Sequence, residues 1–128
     1  MSGVTYDAGA LIAGERNDRR MWALHVGFLA EEVVPTAPAV IVAEAWRGGA
    51  RQASLARMLA GCQIEELTRA HVGRVGELLG RSGFEDVGDA SVVEGAIRRG
   101  GDVVVTSDAA DIERIARSAR RRLRIEAV

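Results

Sequence analysis

The sequence predicts an α/β fold with a mainly parallel central sheet and helices on both faces. Short apolar runs suited to strands alternate along the chain with longer stretches whose apolar residues recur at helical spacing. Two of the runs, Val4-Thr5-Tyr6 and Val103-Val104-Val105-Thr106, stop at an aspartate, Asp7 directly and Asp108 one serine later, and a helix-like stretch follows each time. The length, 128 residues, fits one domain over residues 1-128, large enough to build a core without disulfides or metal staples.

Taken in order, residues 4 to 6 read as the first strand and Ala8 to Gly14 as a short helix that Asp7 can cap. From about Asp18 to Glu32, Met21, Trp22, Leu24, His25, Phe28 and Leu29 recur at helical spacing, and Val33-Val34-Pro35-Thr36 reads as a second strand. Pro38 suits the first turn of a helix that carries Glu44 and ends near Gly48-Gly49. Ala53 to Ala60 forms another helix and Cys62 to Leu67 a third strand. Thr68 caps a helix reaching Leu79, in which Gly73, Gly76 and Gly80 fall near one face and suggest close helix packing. Gly73-Arg74-Val75-Gly76 also matches a GXXG nucleotide clamp, but such a clamp sits in a loop between helices and this one falls inside a helix. Residues 86 to 99 give the next helix, Asp102 to Thr106 the fourth strand, Ala110 to Ser118 a helix and Leu123 to Ala127 a short final strand.

Composition excludes several mechanisms. All 17 basic residues are arginine, which removes the phosphate-binding lysine of a P-loop, Schiff-base catalysis and the lysine of phosphoryl-aspartate sites. The single Cys62 forms no internal disulfide, and the N-terminus shows neither the basic start nor the apolar stretch of a secretory signal, so a reduced, cytoplasmic protein is expected. The longest uncharged apolar stretch is about half of a membrane span, so no membrane association is expected. Formal net charge is −1, yet five arginines crowd between Arg117 and Arg124. These form either a solvated helix face and turn or a contact for RNA phosphates.

The acids carry the functional reading. Ligands of open α/β sheets sit beyond the C-terminal strand ends where strand order reverses. If strands one and four are neighbours there, Asp7 and Asp108 face one crevice. Both also have an ordinary explanation as helix caps. Glu44 stands in the apolar run Val40-Ile41-Val42-Ala43-Glu44-Ala45-Trp46, where an unpartnered carboxylate is costly unless it faces solvent along a polar stripe. Asp86 and Asp89 share one side of a helix, Asp86 as its cap. Two carboxylates about 4 Å apart repel by roughly 4 kcal/mol at an effective dielectric near 20, and a divalent cation removes that penalty. Without a Cys/His cluster the donors are hard oxygens, which suit Mg²⁺ or Mn²⁺. Such an ion lowers the pKa of a bound water and stabilises phosphoryl oxygens, which is the chemistry of phosphodiester hydrolysis.

The segments Tyr6-Asp7-Ala8-Gly9-Ala10-Leu11-Ile12-Ala13, Val42-Ala43-Glu44-Ala45-Trp46-Arg47-Gly48-Gly49, Asp86-Val87-Gly88-Asp89-Ala90 and Val105-Thr106-Ser107-Asp108-Ala109-Ala110-Asp111-Ile112 together resemble the PIN-domain nucleases, specifically the VapC-type toxins of bacterial toxin-antitoxin pairs. The resemblance spans nearly the whole chain and implies a single PIN-like domain. By resemblance, Asp7, Glu44, Asp89 and Asp108 match the family's catalytic, metal-holding quartet. Thr106 matches the hydroxyl residue that often precedes the last acid and is expected at the cofactor, and Asp86 and Asp111 are auxiliary candidates. Gly88 sits where many members place a β-branched residue, which is expected to loosen the turn before Asp89. The resemblance implies a Mg²⁺-dependent endoribonuclease that cuts single-stranded or loop regions of RNA, often tRNA or ribosomal RNA, and so stops translation and growth. It also implies a homodimer and a cognate antitoxin whose tail occupies the crevice, with promoter DNA contacted only through that antitoxin.

Two other functions fit the same residues. A non-catalytic partner-binding module would use the acids to hold a partner's arginine. A DNA nuclease of similar fold is disfavoured, because the chain lacks helical insertions for gripping duplex ends. His25 and His71 have no nucleophile nearby in sequence and read as core or surface residues, and Trp22 and Trp46 as core or dimer-interface residues.

Overall fold

The computed structural model describes residues 3–128, so Met1 and Ser2, which entered the argument about secretion, lie outside the described residues. The described elements follow the order β1 (Val4–Tyr6), α1 (Ala8–Glu15), α2 (Arg19–Ala30), β2 (Thr36–Pro38), α3 (Ala39–Ala45), a 3-10 turn (Ala50–Gln52), α4 (Ala53–Ala60), β3 (Gln63–Glu65), α5 (Arg69–Ser82), α6 (Val87–Arg98), β4 (Val103–Thr106), α7 (Ala109–Ser118) and β5 (Ile125–Ala127). All strands run parallel in the order β3-β2-β1-β4-β5. Strand order therefore reverses between β1 and β4, which pair in register from Val4 with Val103 to Tyr6 with Val105. Right-handed crossovers from β1 toward β3 place α1 to α4 on one face, and crossovers in the opposite direction place α5 to α7 on the other. No helix among the described residues is long and apolar enough to cross a membrane.

The core is filled from both layers. Tyr6, Leu11, Met21, Ile41, Leu55 and Met58 are fully buried with Val92, Val93, Val104, Ile112 and Ile115. Helix α6 is buried along most of its length because Gly88, Ala90, Ser91, Gly95 and Ala96 let it lie close to the sheet, where it packs on β1, β2 and β4. His25 belongs to the core, as the sequence suggested. Its Nδ1 lies 2.8 Å from the Tyr6 hydroxyl, and burial lowers the imidazole's pKa while burial raises the phenol's. A phenol donating to a neutral imidazole satisfies both groups and ties β1 to α2.

On the other face a polar lattice fastens α6 to the sheet. Arg99 reaches Asp102 at 2.8 Å, the Thr5 hydroxyl at 2.8 Å and Glu65 at 2.8 Å. Arg98 pairs with Glu65 at 2.5 Å and with Glu94 at 2.9 Å. The Thr5 hydroxyl donates in turn to Asp102 Oδ2 at 2.8 Å. Strand β3 is an edge of only three residues, and Glu65 gives it these two anchors.

Several boundaries differ from expectation, each for a local reason. The second strand is Thr36–Pro38 rather than the run starting at Val33. Glu32 takes a left-handed φ of 62° and the Val33 N–H donates to Phe28 O, so Val33 closes α2 and plugs the core. Pro38 ends β2 and occupies the position just before α3, where a missing N–H costs nothing. Helix α3 ends at Ala45, before the glycines, and Gly48 and Gly49 turn the chain with φ of 84° and 91°. The third strand is shortened to Gln63–Glu65 because Cys62 still belongs to the last turn of α4, its N–H donating to Leu59 O. Helix α5 continues to Ser82 and stops at Gly83 in a left-handed turn, φ 78°. The expected close packing of Gly73, Gly76 and Gly80 is not found. A Cβ on any of the three would meet open space, because Val75 and Leu78 hold the buried side of that helix. The GXXG run is helical throughout, which removes the clamp reading.

Candidate functional site

The reversal of strand order does bring Asp7 and Asp108 together. Asp7 leaves β1 as the cap of α1: Oδ1 accepts the Ala8 N–H at 2.6 Å and Oδ2 accepts the Thr106 hydroxyl at 2.6 Å. The same Thr106 oxygen accepts the Asp108 N–H at 2.8 Å. One buried hydroxyl at the end of β4 thus links the acids at both strand ends. Thr106 is fully buried and gives its only proton to Asp7, which ties the two acids to one hydroxyl. Asp108 precedes α7 but makes no side-chain cap bond, so the capping explanation holds for Asp7 and not for Asp108.

Gly9 makes the approach of α1 to β4 possible. A Cβ there would collide with Ser107 Oγ and lie 2.8 Å from the Ser107 backbone nitrogen. Helix α6 supplies the next acids. Asp86 caps it, with Oδ1 accepting the Asp89 N–H at 3.0 Å, and Asp89 sits half-buried in the first turn. Oxygens of Asp89, Asp108 and Asp111 lie within 4.8 Å of one another. Asp111, expected as auxiliary, therefore joins two members of the predicted quartet, while Asp7 and Glu44 stand outside this triad.

Glu44 projects from the last turn of α3, with its side chain solvent-exposed. Its Oε1 lies against Gly88, where an added Cβ would collide with it and would sit 2.9 Å from Ile41 Cδ1 and 3.0 Å from Asp86 Oδ1. Gly88 is thus a seat at the crossing of α3 and α6 and not the loosened turn expected before Asp89: it is buried and helical. Gln52 was not singled out by the sequence. It is buried, its Oε1 accepts the N–H groups of Arg47 at 2.6 Å and Gly48 at 2.8 Å, and its Nε2 donates to Ala45 O at 2.8 Å and to Glu15. These bonds fix the chain leaving α3 and hence the end of the helix that carries Glu44. Nothing in the residue type signals this, because a glutamine in a polar loop is ordinarily exposed.

The six acids influence one another as a row. Burial, then the charges of Asp7, Asp86, Asp108 and Asp111, push the Asp89 carboxyl up to about 7. Glu44, exposed overall but partly desolvated around the carboxylate that lies against Gly88, is raised by that desolvation and then by Asp86 and Asp7. Asp108 is raised by burial, by a hydrogen bond to Asp111 and by the charges of Asp111, Asp7 and Asp86. Burial raises Asp7 as well, opposed by the bonds from Thr106 and Ala8. Among the described residues no arginine pairs directly with these acids, although Arg16, Arg47 and Arg51 line the cavity beside Glu44. The donors are all hard oxygens, so the set fits a hard divalent cation better than zinc.

The remaining candidates fall elsewhere. His71 pairs with the Thr68 hydroxyl at 2.9 Å on the exposed start of α5. Trp22 is half-buried and its indole donates to Gly14 O at 2.9 Å. Trp46, two residues beyond Glu44, is 41% exposed and so is not a core residue.

No protein-family model matches the sequence, and no curated protein matches it. Among solved structures, the chain is similar to one in the crystal structure of VapBC2 from Rickettsia felis bound to a DNA fragment from their promoter, with a TM-score of 0.73 and 16% sequence identity over 98% of this chain and 98% of that one. At that identity the likeness concerns the fold: a PIN-like α/β domain built on a five-stranded parallel sheet.

Proposed function

We propose that this chain, a PIN-like domain with an acidic crevice at its reversal of strand order, is a Mg²⁺- or Mn²⁺-dependent endoribonuclease and the toxin of a toxin-antitoxin pair. The observation that carries the reading is the cluster of Asp89, Asp108 and Asp111, with Asp7 and Asp86 close enough to raise the pKa values of Asp89, Asp108 and Glu44, and none of the six in an ion pair among the described residues. Phosphodiester hydrolysis needs positive charge against the phosphoryl oxygens and a water held for attack. When bound, a divalent cation supplies the charge and acidifies that water. Asp89, Asp108 and Asp111 offer oxygens to hold it. Asp7, fixed on both oxygens by Ala8 and Thr106, orients the adjoining side. Glu44 and Asp86 extend the row and would accept hydrogen bonds from the hydration shell of such a cation.

The substrate class proposed is single-stranded or loop RNA, with tRNA or ribosomal RNA as targets and arrest of translation as the outcome. The comparison with a VapBC2 assembly supports a cognate antitoxin as partner and promoter contact through that antitoxin. A homodimer is proposed for the free toxin, to be checked by light scattering in solution.

The test is cleavage of total RNA by the purified chain with Mg²⁺ or Mn²⁺, beside an EDTA control, with new 5′ ends mapped. Asp7→Asn and Asp89→Asn are each expected to cut the rate about 100-fold or more while the fold persists. Cleavage that survives both substitutions, or that ignores EDTA, overturns this reading. A folded, metal-supplied chain that cuts nothing and instead retains an arginine-bearing peptide would establish the crevice as a partner-binding module.

A further inference from the structure

Helix α7 connects two opposite charge environments. Its first turn carries Asp111 beside Asp108. At its other end an open cavity of about 600 Å³ is lined by Arg117, Arg120, Arg121 and Arg122 with Glu113 and Leu123. From Asp111 to Arg117, the first arginine of the cavity, is about 9 Å along the helix at 1.5 Å per residue, and Arg120 to Arg122 lie beyond its end. Asp111, Arg114 and Arg117 follow one another at three-residue intervals, so they occupy successive turns along adjacent strips of the helix surface. Arg114 is held on that surface by stacking over Phe84, 5.0 Å from the ring centre. Past Ser118, Arg120 adopts a left-handed φ of 58° and the Arg121 N–H donates to Ala116 O, a turn after which the arginines continue around the cavity.

The cavity arginines are all exposed, and among the described residues none enters an ion pair. Arg98 and Arg99 are committed to Glu65, Glu94 and Asp102. The guanidinium forks around the cavity are thus free to bind an outside anion. The end of α7 contributes about half a negative charge and Glu113 one more, against four guanidiniums, so the cavity stays positive. A chain that is nearly neutral overall therefore carries a local cationic site at one end of α7 and a local anionic one at the other.

We propose that this cavity binds backbone phosphates of the same RNA strand whose scissile bond lies in the acidic crevice, with Arg114 and Arg117 marking the path between. The inference rests on the ribonuclease reading for the identity of the strand. It adds where the strand runs and why length matters: a substrate must extend about 10 Å or more past the crevice to engage the cavity. Arginine is suited to this task, since its fork meets phosphate oxygens two at a time without reading the base.

The experiment uses the full chain with Asp7→Asn, so that RNA is bound and not cut, and compares it with the same chain also carrying R120Q, R121Q and R122Q. Fluorescein-labelled single-stranded RNAs, some too short to leave the crevice and others long enough to reach the cavity, are titrated between about 50 mM and 200 mM salt. For long RNA, the slope of log affinity against log salt is expected to become shallower by about 2, three phosphate contacts at about 0.7 each. The difference is expected to vanish for the short RNAs. Lysine at the same three positions should restore the slope, which separates charge from folding, and circular dichroism verifies that every variant is folded. An unchanged slope with long RNA overturns the proposal. So does an equal loss with the short RNAs, or polyglutamate displacing long RNA as well as unlabelled RNA does. Cleavage by the Asp7-containing chain with Mg²⁺ is scored separately. Cleavage with no change in slope removes the cavity and leaves the nuclease, whereas a changed slope without cleavage removes the nuclease and leaves the strand-binding cavity.

Discussion

The Thr106 hydroxyl serves two acids at once, donating to Asp7 and accepting from the Asp108 backbone. Replacing it by valine keeps the shape and strands a buried carboxylate oxygen and an N–H. Thr106→Val is expected to destabilise the chain by about 1–3 kcal/mol, and Thr106→Ser much less, as measured by chemical denaturation. The valine form should also titrate Asp7 at higher pH, since a bond that lowers its pKa is gone. Legibility at this scale follows range. Asp7 and Asp108 could be read because a strand ending at an acid is a local pattern. Asp111 could be named only as a candidate, because its nearness to Asp89 depends on how α6 and α7 pack. Gly88 was misread because its neighbour in space, Glu44, lies on another helix and no spacing records that contact.

Glycines show how differently helices use one residue type. At Gly88 a methyl group would strike Glu44 and press on Ile41, and at Gly76 it would meet nothing. Gly88→Ala is therefore expected to cost about 1–3 kcal/mol. Gly76→Ala, on the open side of α5, is expected to stabilise by about 0.5–1 kcal/mol through helix propensity. Paired thermal melts of the two variants decide the matter, and stabilisation by both would remove Gly88 as a seat. Element types were read from periodicity, and Ala53–Ala60 even kept its limits. Boundaries failed where tertiary structure overrode propensity. The Val33-Val34 pair has strong strand preference, yet packing of Val33 under α2 assigns it to the core. The true β2, Thr36–Pro38, contains a proline, a residue that ordinarily argues against a strand and is tolerated here at its last position.

At the level of the whole molecule, the acid row trades stability for a charged crevice. Asp89 is pushed up from 3.8 to about 7, so between those values the folded chain holds a proton that the unfolded chain has released. Stability of the metal-free chain must then fall as pH rises through that window. Melting near pH 5 is expected above melting near pH 8 by a few degrees, about 1 kcal/mol, since water partly screens the group. Millimolar Mg²⁺ near pH 8 should recover the difference, because a cation takes the place of the lost proton. RNA cleavage should show the opposite trend and rise from pH 5 to 8, as protons cease to compete for the carboxylates. A melting temperature indifferent to both pH and Mg²⁺ would mean that the acids do not crowd as described.

The two tryptophans make these events visible without any label. Trp22 is half-buried, edge-on to His25 and beside Arg57, whereas Trp46, two residues beyond Glu44, is 41% exposed. Their fluorescence should separate into a blue-shifted component shielded from iodide and a red-shifted one open to it. With Trp22 replaced by phenylalanine, the remaining emission comes from Trp46 alone, at the end of the helix that carries Glu44, so any rearrangement of that helix end can be followed as a change in quenching in real time.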